Sequence, residues 1–138
     1  MGKTFEKVVV KNFGDILKKS EGLIKEDEIR TVNIDALADT GAAYLCLQPD
    51  VIKNLGLLYS HVQSVRTANG IVERRIFAGA DITINGRTIQ MQVMENDKTT
   101  PPLIGYIVLE AMDYVVDPKA HKVIPNPASD GKWVMDLF

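Results

Sequence analysis

Asp39-Thr40-Gly41 puts a carboxylate, a hydroxyl and a glycine on consecutive positions just after an apolar run, and it occurs once in 138 residues. A carboxylate in such a loop does acid–base work on an amide only with a partner. Two carboxylates at hydrogen-bond range cannot both ionise, because like charges push one pKa upward, so the pair holds one shared proton. The ionised member takes a proton from water, and that water attacks a carbonyl whose oxygen is hydrogen-bonded by the protonated member. This chemistry needs no metal and no cofactor. With one copy in so short a chain, the second aspartate has to come from an identical chain across a two-fold axis, which sets Asp39 opposite its own copy. The expectation is a homodimer with its reactive centre on the symmetry axis.

The elements that must position this carboxylate are legible around it. Thr31-Val32-Asn33-Ile34-Asp35-Ala36 alternates as a strand does and leads through Leu37-Ala38 into the loop. The same tripeptide also fits an ordinary Asx turn after a strand, with Gly41 at positive φ, and at this point both readings stand. Elsewhere, residues 5–11 read as a first strand, and 13–30 as a polar connection with a helical turn at 15–19. Residues 44–47 form a strand and 49–55 a helix, with Pro49 in its first turn and Gly56 just past its end. The stretch 57–63 has no clear period. Residues 65–77 read as a hairpin turning at Asn69-Gly70, both at positive φ, and 81–93 as a second hairpin with one apolar face. A polar loop at 95–100, two helical turns at 107–112 and a strand at 114–116 complete a mostly β chain with two or three short helices.

Three segments together carry a resemblance. Pro101-Pro102-Leu103-Ile104-Gly105-Tyr106-Ile107-Val108-Leu109 resembles the apolar-apolar-glycine loop and short helix of the retropepsin-like aspartic proteases. Asp39-Thr40-Gly41-Ala42 resembles their catalytic loop, and 65–77 lies where they carry a flap. The likeness spans residues 5–127. Val8-Val9-Val10-Lys11-Asn12-Phe13-Gly14-Asp15, Leu55-Gly56-Leu57 and Ile124-Pro125-Asn126-Pro127 are more similar to the bacterial branch than to the viral enzymes.

The resemblance implies a closed β-barrel-like fold in which the second loop threads behind the first, Gly105 letting the two backbones approach. It further implies an aspartic endopeptidase acting on an extended peptide held by strand-like hydrogen bonds in a groove between two subunits. Asp39 would be the catalytic carboxylate, Thr40 would bond across the dimer to the partner's loop, and Gly41 would shape the loop. Ala42, Ala43, Thr67, Ala68, Asn69, Gly70, Ile71, Leu103 and Ile104 would contact substrate. Viral members pair an aspartate shortly after the Asp-Thr-Gly-Ala run with an arginine after the second-loop glycine; here Ala43-Tyr44 and Tyr106 stand there, so both charges are absent together. That leaves no unpaired charge in a partly buried site. The turn 67–70 has one glycine, which implies a stiffer flap.

The remaining features narrow the classes. A net charge of −2 with no basic stripe speaks against nucleic acid as a partner, and Lys18-Lys19 and Arg74-Arg75 read as solvated faces. The single cysteine, Cys46, rules out an intrachain disulfide and reads as a small core hydrophobe. His61 and His121 read as surface residues without metal-ligand spacing. Glu26-Asp27-Glu28 and Asp35 read as solvated acids. No secretory leader or membrane span is expected, and the default location is cytoplasmic. The chain reads as one domain, 1–138, whose last residues 128–138 form an apolar tail. Trp133, Val134, Met135, Leu137 and Phe138 pack on their own subunit or at the dimer interface. Two rival functions remain open: a dimeric peptide-binding or regulatory module with little turnover, and a monomeric structural β domain with a coincidental tripeptide.

Overall fold

Alternating apolar residues dictate most of this architecture, seen in a computed structural model that describes residues 2–138. In β1 (Phe5–Asn12), Val8 and Val10 are fully buried while their neighbours reach the surface, and the strand pairs antiparallel with β2 (Thr31–Ala38), opposing Val8 to Ile34 and Val10 to Val32. β3 (Leu45–Leu47) is buried on both faces and reads as a short continuous apolar run. β4 (Leu58–Thr67), the 15-residue β5 (Gly70–Ile84) and β6 (Arg87–Glu95) form an antiparallel meander. The stretch with no clear period therefore becomes strand. It pairs only with β5 and is exposed along most of its length, so no buried face imprints alternation on it.

β7 (Leu103–Ile104) runs between β2 and β3, parallel to the first and antiparallel to the second. Hydrogen-bonded neighbours follow the order β1-β2-β7-β3-β6-β5, and β5 pairs again with β1, so the circuit closes on itself as expected for a barrel. Closure removes edges that would otherwise template aggregation. Of the strands in this sheet, β4 lies outside the ring. A separate hairpin joins β8 (Tyr114–Asp117) to β9 (Lys122–Pro125). Among the described residues strands outnumber α-helices nine to three, and no helix is long and apolar enough to cross a membrane.

Inside the ring, Val8, Val10, Ile82, Ile84, Val93 and Ile104 meet Ile52 and Leu55 of α2 (Pro49–Leu55) and Val108 of α3 (Tyr106–Ala111). α2 begins at proline and ends at Gly56 in the left-handed region, φ 65°. The helical turn expected at 15–19 extends to a two-turn α1 (Phe13–Ser20), because buried Asn12 caps it: Oδ1 accepts from the Asp15 N–H at 2.9 Å, while Nδ2 donates to the Leu55 carbonyl at 2.8 Å. One side chain thus starts α1 and finishes α2. Asp15, also buried, holds Arg30 through Oδ1 and Oδ2 and accepts the Arg30 backbone N–H. The Arg30 guanidinium, first of all by its side-chain hydrogen bond, lowers the Asp15 carboxyl from its ordinary 3.8 to about 2.

Two turns depart from expectation or meet it. Asn85-Gly86, both at positive φ, closes β5–β6 as a two-residue hairpin. At the β4–β5 tip, by contrast, Thr67 pairs with Gly70, so Ala68-Asn69 form the turn and only Gly70, at φ 114°, lies at positive φ. The Thr67 hydroxyl accepts from the Asn69 N–H and donates to the Gly70 carbonyl at 2.7 Å, a local bond that displaces the turn by one residue.

Candidate active site

The loop at Asp39 is held from three sides. Its backbone N–H donates to the Ile104 carbonyl at 2.9 Å, extending the β2–β7 ladder by one residue, while Ala38 N–H donates to the Thr4 carbonyl. Asp39 Oδ1 accepts the Gly41 N–H at 2.9 Å, and the Asp39 carbonyl accepts from Ala42. This is Asx-turn geometry, yet Gly41 is not at positive φ. A Cβ at this position would stand 3.1 Å from Asp39 Oδ1, tighter than an ordinary contact, so the carboxylate would have to give by a few tenths of an ångström. The turn and a reactive carboxylate are therefore compatible readings of one geometry.

Behind the loop, Gly105 passes so close to Ala43 and Tyr44 that an added Cβ would overlap the Ala43 carbonyl and the Tyr44 carbonyl oxygen. Gly105 has φ −83°, so close approach, not backbone conformation, selects glycine. The first N–H groups of α3 then find acceptors in the first loop, Tyr106 to the Ala42 carbonyl at 2.8 Å and Ile107 to the Ala43 carbonyl at 3.0 Å. Helix-start donors that would otherwise lack partners fasten the second loop to the first.

Asp39 borders a cleft of about 630 Å³ between this loop pair and the β4–β5 hairpin. Of the residues expected to contact substrate, Ala42, Ala43, Thr67 and Leu103 line it with Asp39 and Gly41. Ala68, Asn69, Gly70 and Ile71 are exposed at the hairpin tip and are not part of the lining, and Ile104 is fully buried in the core. Thr40 is exposed and borders a different hollow, beside Tyr106 and Glu110. A third hollow, reaching Lys3, Thr4 and His121, also touches Asp39, which therefore stands between two open spaces.

The structure adds lining residues that sequence reading left out: Tyr44, Gln63, Val65, Arg66, Val72, Arg74 and Tyr106 among them. The floor is a small apolar cluster of Cys46, Ile76 and Met94 with Ala42, Tyr44, Val65 and Leu103 packed on it. Burial, then the negative charge of Asp39, pushes the Cys46 thiol up to about 11 while Arg74 acts in the opposite sense. A thiol so raised is inert at neutral pH, in line with packing. Val72 and Arg74 share their strand face with Ile76, and Val65 is the register partner of Val72, so the pairing of β4 with β5 brings them to the cleft. Among the described residues no group of three His, Cys, Asp or Glu side chains converges to hold a metal ion, and Asp39 is the one carboxylate lining the cleft.

Compared with known proteins, residues 27–111 match the family described as gag-polyprotein putative aspartyl protease. The matched span runs from just before β2 to the end of α3 and so contains the Asp39 loop, the β4–β5 hairpin and the Gly105 loop. No curated protein matches the chain.

Proposed function

The chain belongs to this gag-polyprotein aspartyl protease family, and from that premise we propose that it is an aspartic endopeptidase working as a homodimer. Each protomer contributes one Asp39. The observation that carries the reading is a tethered Asp39, alone among carboxylates, at the edge of a cleft large enough for peptide side chains. A lone carboxylate lacks the acid that must accompany the base, and a second copy supplies it.

In this reading the two Asp39 carboxylates face one another and share a proton. The ionised one removes a proton from water, the water oxygen bonds to the peptide carbonyl carbon, and the protonated one donates to the carbonyl oxygen. Collapse of the tetrahedral adduct expels the amine, which leaves with a proton returned by the pair. Two apparent pKa values would belong to the pair jointly, and activity falls when both members ionise. Gly41 keeps space over the carboxylate, Thr40 ties the partner's loop, and the β4–β5 hairpin acts as a flap over an extended peptide. No metal or cofactor enters the reaction. One free cysteine fits a reducing, cytoplasmic setting.

Cleavage of a diverse peptide library across about pH 3 to 8 tests the proposal. Wild type should cut, and a folded Asp39→Asn variant should lose roughly 10²–10⁴-fold or more in kcat/KM. A well-formed dimer that binds peptides without cutting any would instead favour the regulatory module.

A further inference from the structure

The cleft carries a charge pattern that the acid–base chemistry does not use. Adjacent Arg74 and Arg75 project to opposite faces of β5. Arg75 turns outward and is spent on a bidentate pair with Glu95, Nε to Oε1 at 2.8 Å and Nη2 to Oε2 at 2.7 Å. Arg74 turns inward with Val72 and Ile76, lines the cleft and is half-buried. Its hydrogen bond runs from Nη1 to the carbonyl of its own neighbour Glu73 at 3.2 Å, and among the described residues it forms no salt bridge. Across β4, Gln63 is its register partner, a neutral residue that neither pairs nor repels it. Arg66 stands farther along the same lining, so two guanidinium groups and one carboxylate border the cleft in a chain whose net charge is −2.

We propose that Arg74 is a specificity-determining residue that selects peptides bearing an acidic side chain, which its guanidinium fork grips beside the Cys46–Ile76–Met94 floor. The inference rests on the reading of the cleft as a peptide groove. A planar fork with free N–H donors matches a carboxylate bidentately, and partial burial shields that pair from solvent. Arg66, exposed at the rim, adds long-range attraction that salt screens. The apolar floor would accept the neighbouring substrate side chain.

Binding and cleavage, measured separately, test this. Labelled extended peptides identical except for glutamate, glutamine or lysine at one scanned position are titrated by fluorescence anisotropy against the Asp39→Asn dimer, which binds without turnover. At one position glutamate should bind roughly tenfold more tightly than glutamine, with lysine weakest. Arg74→Gln should abolish the difference between glutamate and glutamine, Arg74→Lys should retain part of it, and Arg74→Glu should invert it. Equal binding of the three peptides, no binding of any, or a preference that survives Arg74→Gln overturns the proposal. Wild-type cleavage with no charge preference removes the acidic specificity and leaves the endopeptidase standing. Arg74-dependent capture of acidic peptides by a dimer that never cleaves supports the specificity and removes the endopeptidase.

Discussion

Gly105 and Asp39 are separated by 66 positions in sequence, yet each sets what the other can be. The close passage of Gly105 behind Ala43 and Tyr44 lets α3 donate to the first loop, and those bonds fix where Asp39 stands. Gly105→Ala forces backbone apart, since the obstructing atoms are main-chain and cannot rotate away. It should cost at least about 2 kcal/mol in denaturant unfolding and depress activity further than stability alone explains. Asp15 makes a separate prediction from its pairing with Arg30. Its pKa is lowered when folded, so the unfolded chain binds the proton more readily; the stabilisation is complete above about pH 4 and is lost as pH falls toward 2. Wild type should therefore lose about 1–2 kcal/mol across that window relative to Asp15→Asn, measured by urea titration at each pH. The turn at Asp39 and the close passage at Gly105 were legible from sequence, because an Asx turn and a glycine between crowded backbones follow from residue type. Arg74 was not, because which of two adjacent arginines points inward is decided by the register of β5, and Asn12 was not, because its two partners lie in different elements.

At the scale of elements, the β4–β5 hairpin is the least supported part of the structure over the cleft. β4 borders only β5, and its tip residues 66–71 are all exposed. The Thr67 hydroxyl bonds both sides of the turn, so Thr67→Val should speed amide hydrogen exchange at 67–71 and raise KM while shifting global stability by less than about 1.5 kcal/mol. Farther from the cleft, buried Tyr114 gives its hydroxyl to the carbonyls of Ile84 and Asn85 at 2.7 and 2.8 Å, fastening β8 to the β5–β6 turn. Tyr114→Phe leaves those carbonyls without that donor and should cost about 1–2 kcal/mol in thermal unfolding, with peptide binding unchanged. Strands with one buried face, β1, β2 and the β5–β6 pair, announced themselves by alternation. The exposed start of β4 gave no such sign, and the tip turn moved by one residue because a side-chain hydroxyl outweighed the preference of an Asn-Gly pair.

For the whole molecule, a closed ring of strands gives the Asp39 loop a rigid base, while the surface around Asp39 stays open on two sides. The ring order could be expected only through resemblance, since pairings such as β2–β7 and β3–β6 join residues far apart in sequence and no local period encodes them. The C-terminal residues begin on the protomer itself, where Trp133 Nε1 donates to the Ala111 carbonyl at 3.0 Å, but Leu137 and Phe138 touch water on all sides. That apolar end is available to a second copy. If each functional centre takes one Asp39 from each of two chains, subunit mixing reads the arrangement directly. Wild type and Asp39→Asn are combined in varied ratio at fixed total concentration, allowed to exchange, and assayed for peptide cleavage. Activity should follow the square of the wild-type fraction, so that an equal mixture retains about a quarter of full activity. A linear decline, with about half retained, would mean that one chain suffices and would contradict the shared site.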